Sequence, residues 1–202
     1  MEEIGLFPLP IVLVPTEQVP LHIFEGRYQE LIGECLETEI EFGLVLEDDH
    51  GLREVGTRAR VTGVLTRFPD GRLNIAIEGG GRFRLLHETE RRSFRTAEIE
   101  PLEDEDGINT AEAAERALEL YRRVAELAEA DAEDFEAGSR SLSFELAGRV
   151  DFGTLVKQEL LESRSEPERL GRVIELLEQA CETLAQRREL RDRAAGNGKV
   201  SM

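Results

Sequence analysis

Hydrophobic and polar residues are patterned in two different ways along this chain, and the change falls near residue 103. Before that point, short apolar runs are separated by Gly and Pro, which is typical of strands and turns. After it, apolar residues recur at helical spacing among Ala, Glu and Arg, which predicts amphipathic helices. The pattern therefore predicts two domains, a sheet domain at residues 1–102 and a helical domain at residues 103–202.

The predicted sheet domain has apolar strands at 4–9, 41–47 and 94–102, with a further apolar run at 11–14. Prolines at positions 8, 10, 15 and 20 predict edge strand or extended loop in this region, because proline cannot donate to a strand ladder. One helix is predicted from Arg27 onward. Its apolar face comprises Tyr28, Leu31, Ile32, Cys35 and Leu36.

A long hairpin is the clearest local feature of the sheet domain. Residues 58–68 and 72–77 flank Pro69, Asp70 and Gly71, a combination that favours chain reversal between strands. Three glycines at 79–81 predict a bulge in the second strand, which resumes at 82–87. Five or more mainly antiparallel strands with one helix predict an α+β fold with a small, coiled sheet or barrel.

The predicted helical domain begins after an acidic linker at residues 103–109, where Asn109 is a candidate helix cap with Glu112 three positions on. Two shorter helices are predicted within 139–161, with a break near 151–153. Ser165 and Glu168 form a capping box that starts a long last helix, followed by a frayed tail at 194–202. The apolar stripe of that helix comprises Leu170, Val173, Ile174, Leu177, Cys181, Leu184 and Leu190.

Charge narrows the classes of partner. The chain has 25 Lys+Arg against 43 Asp+Glu, a net charge of −18 spread over both domains. Such a chain repels nucleic acid and anionic membranes unless a local basic patch overrides the repulsion. The acidic N-terminus and the proline-broken apolar stretches predict neither a secretory signal nor a membrane span, so a soluble, cytoplasmic protein is expected.

Sequence motifs for catalysis are missing. There is no phosphate-binding loop, no nucleophile elbow and no His-Glu-x-x-His zinc motif, and the three histidines lie far apart in sequence. Cys35 and Cys181 sit on predicted apolar faces, where core packing is expected. We therefore predict no catalytic residue, no cofactor and no metal. A basic cluster could touch nucleic acid or form a solvated strand face: Arg82, Arg84, Arg91, Arg92 and Arg95.

The proline-rich N-terminal segment has more apolar residues than a regular sheet can bury. Some of its side chains could line a groove for an extended peptide or another apolar ligand. The candidate contacts are Phe7, Val14, Pro15, Pro20, Ile23 and Phe24. The alternative, that all six pack in the core, stays open at this point.

Several short motifs follow one another along the chain: Leu6-Phe7-Pro8-Leu9, Val12-Leu13-Val14-Pro15, Pro20-Leu21-His22-Ile23-Phe24-Glu25 with Arg27-Tyr28, Phe42-Gly43-Leu44-Val45, Val55-Gly56-Thr57 with Ala59-Arg60-Val61, Pro69-Asp70-Gly71-Arg72, Glu78-Gly79 with Arg82-Phe83, and Lys157-Gln158-Glu159-Leu160-Leu161-Glu162 followed by Arg169-Leu170. In these motifs the chain resembles the N-terminal substrate-binding domain of the ATP-dependent Lon protease family. The resemblance covers roughly residues 4–192.

This resemblance implies a PUA-like sheet domain, or pseudo-barrel, followed by a helical bundle. It also implies recognition of polypeptide. A Lon protease continues into an ATPase module and a Ser/Lys peptidase, whereas this sequence has neither a Walker motif nor a catalytic dyad. A stand-alone, non-catalytic member that binds exposed apolar segments of client proteins is therefore expected. The PUA-like fold could also suggest RNA, but the acidity of this chain opposes that.

Two alternatives remain from the sequence. One is an adaptor or regulator that binds a protease or another folded protein, with the acidic helical domain steering a basic partner. The other is an enzyme or a small-ligand pocket, for which no motif is present. The oligomeric state is not determined by the sequence.

Overall fold

The computed structural model describes residues 2–89, 92–105 and 107–197. These residues form two compact units. The sheet unit comprises the described residues up to 105 together with 147–164, and the helical unit comprises 107–146 and 165–197. The segment 147–164, which lies C-terminal to the predicted boundary at 102/103, is therefore grouped with the strands.

Seven strands and two helices make up the sheet unit. The strands are β1 (Glu2–Leu9), β2 (Gln18–Ile23), β3 (Phe42–Asp48), β4 (Gly51–Leu52), β5 (Val55–Arg67), β6 (Leu73–Thr89) and β7 (Thr96–Pro101). The helices are α1 (Gly26–Thr38) and α4 (Thr154–Glu162). The predicted helix from Arg27 is confirmed by α1.

Strand β1 closes the sheet into a pseudo-barrel, as the sequence resemblance implied. The strand order is β1-β7-β6-β5-β3-β4, and β1 also pairs with β3. The first half of β1 pairs antiparallel with β7, with Ile4 opposite Ala97, and its second half pairs parallel with β3, with Leu6 opposite Gly43. One strand thus joins both ends of a five-stranded ring.

Side chains fill this ring, and the packing leaves no room for a larger residue at Gly56. The cluster of Ile4, Leu6, Phe83, Ala97 and Ile99 is buried. A methyl group at Gly56 would lie 2.6 Å from Phe83 Cζ and 2.7 Å from the carbonyl oxygen of Leu44. A second, larger core lies around α1 and includes Phe7, Tyr28 and Ile75.

The predicted hairpin and its bulge are both confirmed. Strands β5 and β6 pair antiparallel from Val55 opposite Arg84 to Arg67 opposite Leu73. Between the pairs Thr57–Arg82 and Ala59–Gly79, β6 advances by one residue more than β5, which places the irregularity at the glycines. The apolar run at 11–14 forms a buried loop and not a strand.

In the helical unit, the two long helices run side by side in the same direction. These helices are α2 (Ala111–Ala128) and α5 (Glu166–Asn197), and the short α3 (Leu142–Ala147) lies between them in sequence. The contacts Arg116–Glu178, Leu120–Cys181 and Glu129–Arg191 keep a nearly constant sequence offset along both helices. Such a constant offset requires a parallel pair.

Two details of the helical prediction are wrong. The cap of α2 is Thr110, whose hydroxyl accepts from Ala113 N at 3.2 Å, and not Asn109, whose side chain donates to Glu166 instead. The predicted apolar stripe of α5 is buried only in its first half, at Leu170, Val173 and Leu177. Leu190 is 64% exposed, because α2 ends beside it.

The last helix continues further toward the end of the chain than the predicted start of the tail. The backbone of α5 remains helical to Asn197, so it overlaps the tail predicted at 194–202. Residues 198–202 of that tail lie outside the described residues.

Candidate functional site

The six candidate contacts are divided between core and surface. Phe7, Val14 and Ile23 are almost completely buried, with exposed fractions of 4%, 0% and 1%. Phe7 stacks on Tyr28 with ring centroids 4.1 Å apart, so it belongs to the core around α1. Pro15 is partly exposed, whereas Pro20 and Phe24 are exposed, Phe24 to 62%. Only these last three offer side-chain surface to another molecule.

The loop that contains Val14 and Pro15 is held by polar groups from distant parts of the sheet unit. Thr57 Oγ1 donates to the carbonyl oxygen of Leu13 at 2.5 Å. The carboxylate of Glu17 accepts from Val14 N at 3.1 Å and from Lys157 Nζ at 2.5 Å. These bonds satisfy a buried loop backbone, which explains why a proline-rich segment lies inside the unit.

Strand β2 follows that loop and lies at an edge of the sheet. Among the described strands it pairs with β6 alone, with Gln18 opposite Glu78 and Ile23 opposite Leu73. Gly79 N donates to the carbonyl oxygen of Glu17 at 2.9 Å. Since bonded and non-bonded pairs alternate in an antiparallel ladder, residues 18, 20 and 22 direct their backbone groups away from β6. Pro20 therefore removes one N–H from the unpaired edge.

The outer face of β2, β6 and β5 changes character from one end to the other. At one end, Glu78 accepts hydrogen bonds from Arg60 at 2.8 Å and from Gln18 at 3.0 Å. The bond from Arg60 holds the pKa of Glu78 below its ordinary value. In the middle, the register places three small residues, Pro20, Ala76 and Gly63, in one row.

Aromatic side chains occupy the other end of this face, and we call His22, Phe24 and Phe68 the aromatic tip. The ring of His22 lies 5.9 Å from that of Phe24, nearly parallel to it, and 5.9 Å from that of Phe68, edge on. His22 Nδ1 is 2.6 Å from Asn74 Oδ1, which fixes the imidazole. The guanidinium of Arg72 lies 5.1 Å from the centre of the Phe68 ring.

Sequence reasoning found one end of this cluster and missed the other. Phe24 was a candidate contact, but Phe68 and Asn74 were not. Phe68 directly precedes the predicted turn at 69–71, and that position was the available signal. Nothing local indicates that β2 pairs with β6, and this pairing alone brings His22 beside Asn74.

The predicted basic cluster is matched by carboxylates. Arg82 is buried, pairs with Asp104 and donates to the carbonyl oxygen of Leu161 at 2.7 Å. Its neighbours also have acidic partners: Arg84 near Glu54 and Glu100, Arg92 with Glu34, and Arg95 with Glu47. Arg91 lies outside the described residues. The described part of the cluster is therefore largely neutralised.

Within the described residues, no group of three or more His, Cys, Asp or Glu side chains is placed to hold a metal ion. Burial raises the pKa of the Cys35 thiol to about 11, which keeps it protonated near neutral pH. No helix in the described part of the chain is long and apolar enough to cross a membrane.

The fold and this surface define an α+β protein in which a closed strand ring carries an exposed aromatic edge. The chain belongs to the family of the ATP-dependent protease La (LON) substrate-binding domain, whose family model matches residues 3–179.

Two relatives are whole proteases. The chain is 29% identical over 211 residues to the Lon protease of Paraburkholderia phytofirmans, covering 95% of this chain and 26% of that protein. It is 27% identical over 190 residues to the Lon protease of Anaeromyxobacter dehalogenans, covering 86% of this chain and 22% of that protein. The chain thus spans about a quarter of the length of these relatives.

Two solved structures share the fold. The crystal structure of the Lon N-terminal domain protein from Xanthomonas campestris superposes with a TM-score of 0.70 at 25% identity, covering 86% of this chain and 98% of that one. The N-terminal domain of the Mycobacterium avium complex Lon protease superposes with a TM-score of 0.67 at 15% identity, covering 88% and 98%.

Proposed function

We propose that this chain is a non-catalytic polypeptide-binding module that holds an exposed apolar segment of a client protein against the aromatic tip. The observation that carries the proposal is the exposure of Phe24, 62%, at the end of an edge strand and beside the ring of His22, which also meets the ring of Phe68. A clustered, exposed aromatic surface is more informative than a single exposed apolar residue. Membership of a substrate-binding family supports the same role.

The chemistry of the tip suits packing of side chains more than addition of a strand. A client strand added to the edge of β2 would find no donor at Pro20, so one ladder bond would be missing. Phe24 and Pro20 offer apolar area, and the imidazole of His22 is held between two rings. We therefore expect a client segment to bind chiefly through aromatic or aliphatic side chains that cover Phe24.

The experiment compares two exposed apolar residues of the sheet unit. Phe24→Asp changes the aromatic tip, whereas Leu65→Asp changes a residue outside it that is 60% exposed. The probe is a fluorescently labelled, permanently unfolded protein, such as a reduced and carboxymethylated lactalbumin, followed by anisotropy. Phe24→Asp should weaken binding by about tenfold or more, as for a hot-spot residue, while Leu65→Asp should change it little.

The outcomes are distinct because both side chains are exposed, so both variants should keep the wild-type melting temperature. Equal losses in the two variants, or no binding of the unfolded probe by the wild type, would refute client binding at the tip. Affinity purification with both variants distinguishes client binding from the second candidate function, an adaptor that binds a protease or another folded protein. A single stoichiometric folded partner retained by Phe24→Asp would favour the adaptor over a client-binding module.

A further inference from the structure

A groove in the helical unit combines apolar and basic residues at the end of α2. We call it the arginine groove. Leu127, Ala128 and Leu184 form its apolar part, and Arg187, Arg188 and Arg191 form its basic part, with Glu129 beside them. Its volume is about 240 Å³. The three arginines lie three, four and seven positions after Leu184, so all four residues share one face of α5.

Positive charge in this groove contrasts with the rest of the chain. The net charge of the whole chain is −18, and the basic cluster of the sheet unit is matched by carboxylates. Among the described side chains, Arg187 and Arg188 make neither a hydrogen bond nor an ion pair with a carboxylate. Two guanidinium groups are thus available to an incoming anion.

Glu129 balances only part of this charge. Arg191 donates to its carboxylate at 2.6 Å, and this bond lowers the pKa of Glu129, to which the nearby charge of Arg188 also contributes. Among the described side chains that line the groove, one carboxylate therefore faces three guanidinium groups. Glu129 itself is exposed and adopts a left-handed conformation that ends α2, so α2 stops at the groove and leaves Leu184 of α5 only partly covered.

We infer that the arginine groove docks a polypeptide segment that carries a carboxylate next to an aliphatic side chain. The guanidinium forks of Arg187 and Arg188 match a carboxylate, and Leu127 with Leu184 match an aliphatic group. A volume of about 240 Å³ holds a side chain or two but not a larger folded element.

Nucleic acid would match the charge but not the apolar part of the groove. An extended polyanion would also run past the groove onto a chain of net charge −18, which repels it. A short acidic segment carries few charges and contacts the arginines locally, so it meets much less of that repulsion. The site lies in the helical unit and uses none of the residues of the aromatic tip, so it stands or falls independently of the proposed function.

The test uses the full chain and three labelled peptides of equal length. The first alternates Leu and Glu, the second has Gln in place of Glu, and the third has Lys in place of Glu. Binding is measured by fluorescence anisotropy at low and moderate salt. The acidic peptide should bind at least about tenfold more tightly than the Gln peptide, and the difference should shrink with salt. Any binding of the Lys peptide to the acidic surface of the chain should not depend on Arg187 and Arg188.

Charge reversal locates the site. Arg187→Glu/Arg188→Glu should abolish the preference for the acidic peptide, and Arg187→Gln/Arg188→Gln should reduce it. Arg122→Glu/Arg140→Glu changes the net charge equally at exposed positions of the helical unit outside the groove, and it should retain the preference. All of these arginines are exposed, so circular dichroism should show an unchanged fold.

Three results would overturn the inference. The first is equal binding of the acidic and Gln peptides by the wild type. The second is equal loss of binding in the groove variant and in the control variant. The third is tighter binding of a labelled DNA oligonucleotide than of the acidic peptide, abolished by Arg187→Glu/Arg188→Glu, which would assign the groove to nucleic acid.

Discussion

Lys157 Nζ donates a hydrogen bond to Glu17 Oε1 over 2.5 Å, and it thereby ties helix α4 to the loop that precedes β2. The side chains are only 14% and 7% exposed. The second carboxylate oxygen of Glu17 accepts from Val14 N, so the same group supports the loop backbone. This ion pair connects residues 140 positions apart and holds the segment from which the edge strand emerges.

Loss of this ion pair should destabilise the sheet unit. Lys157→Met leaves the buried carboxylate of Glu17 without its cation, and we expect a loss of about 3 kcal/mol in the free energy of unfolding. Urea denaturation measures it. The double variant Glu17→Gln/Lys157→Met should cost clearly less than the sum of the two single variants. Strict additivity of the two would show that the residues do not interact.

Gly79 should tolerate no larger residue, because the loop at Val14 lies against it. A methyl group there would clash with the carbonyl oxygen of Val14 and would lie 3.0 Å from its carbonyl carbon. Gly79→Ala should therefore lower the unfolding free energy by about 2 kcal/mol or more. Gly63→Ala, in the partner strand of the same hairpin, meets open space and should stay within about 0.5 kcal/mol of wild type. Thermal denaturation of both variants measures the two changes in stability. Equal destabilisation by Gly79→Ala and Gly63→Ala would contradict the close approach of the Val14 backbone to Gly79.

A buried polar network should stabilise the start of α5. Glu166 accepts from Ser143 Oγ at 2.5 Å, from Arg169 Nη2 at 2.8 Å and from Asn109 Nδ2 at 3.0 Å. Glu166→Gln removes a negative charge beside the fully buried Arg169, and we expect a loss of about 2 kcal/mol in unfolding free energy.

Glu168→Gln is the matched control for this network, because Glu168 is exposed in the same first turn of α5. Its cost should be below about 0.5 kcal/mol. Chemical denaturation followed by the helical signal compares the two. A cost for Glu166→Gln as small as that of the control would mean that the network does not stabilise the helix.

Burial of Cys35 should make the stability of the protein fall at high pH. Burial raises the pKa of this thiol from 9.0 to about 11 in the folded state. The folded protein therefore holds the proton more tightly than the unfolded chain. The resulting stabilisation is complete below pH 9 and is lost as the pH rises toward about 11. As the pH is raised between these two values, the melting temperature should fall less in Cys35→Ala than in wild type. An identical dependence of melting temperature on pH in both proteins would disprove the role of Cys35.

The two cysteines should also differ in reactivity. Cys181 is only partly buried, and although burial raises its pKa as well, it is accessible. Iodoacetamide at pH 8 should modify Cys181 first and Cys35 only in denaturant, as mass spectrometry of peptides would show. Early modification of Cys35 in the native protein would contradict its placement in the core.

Local sequence patterns predicted only part of the candidate site. The sequence singled out Phe24 and Pro20, but it could not separate them from Phe7, Val14 and Ile23, which have the same apolar character and lie in the same segment. Burial of these three depends on α1 and on strands far along the chain. Phe68 joins the tip only because β6 lies between β2 and β5.

Local sequence patterns were sufficient to predict α1 from its helical spacing, the hairpin from its turn residues, the bulge from its glycines and the start of α5 from its cap. These features depend on neighbours within a few positions, where steric and capping rules apply directly. Other features depend on long-range contacts and emerge from the three-dimensional structure: β1 closes the ring, α2 and α5 run parallel, and α4 packs with the strands. An apolar face shows that it must be buried, but it does not specify which distant residues bury it.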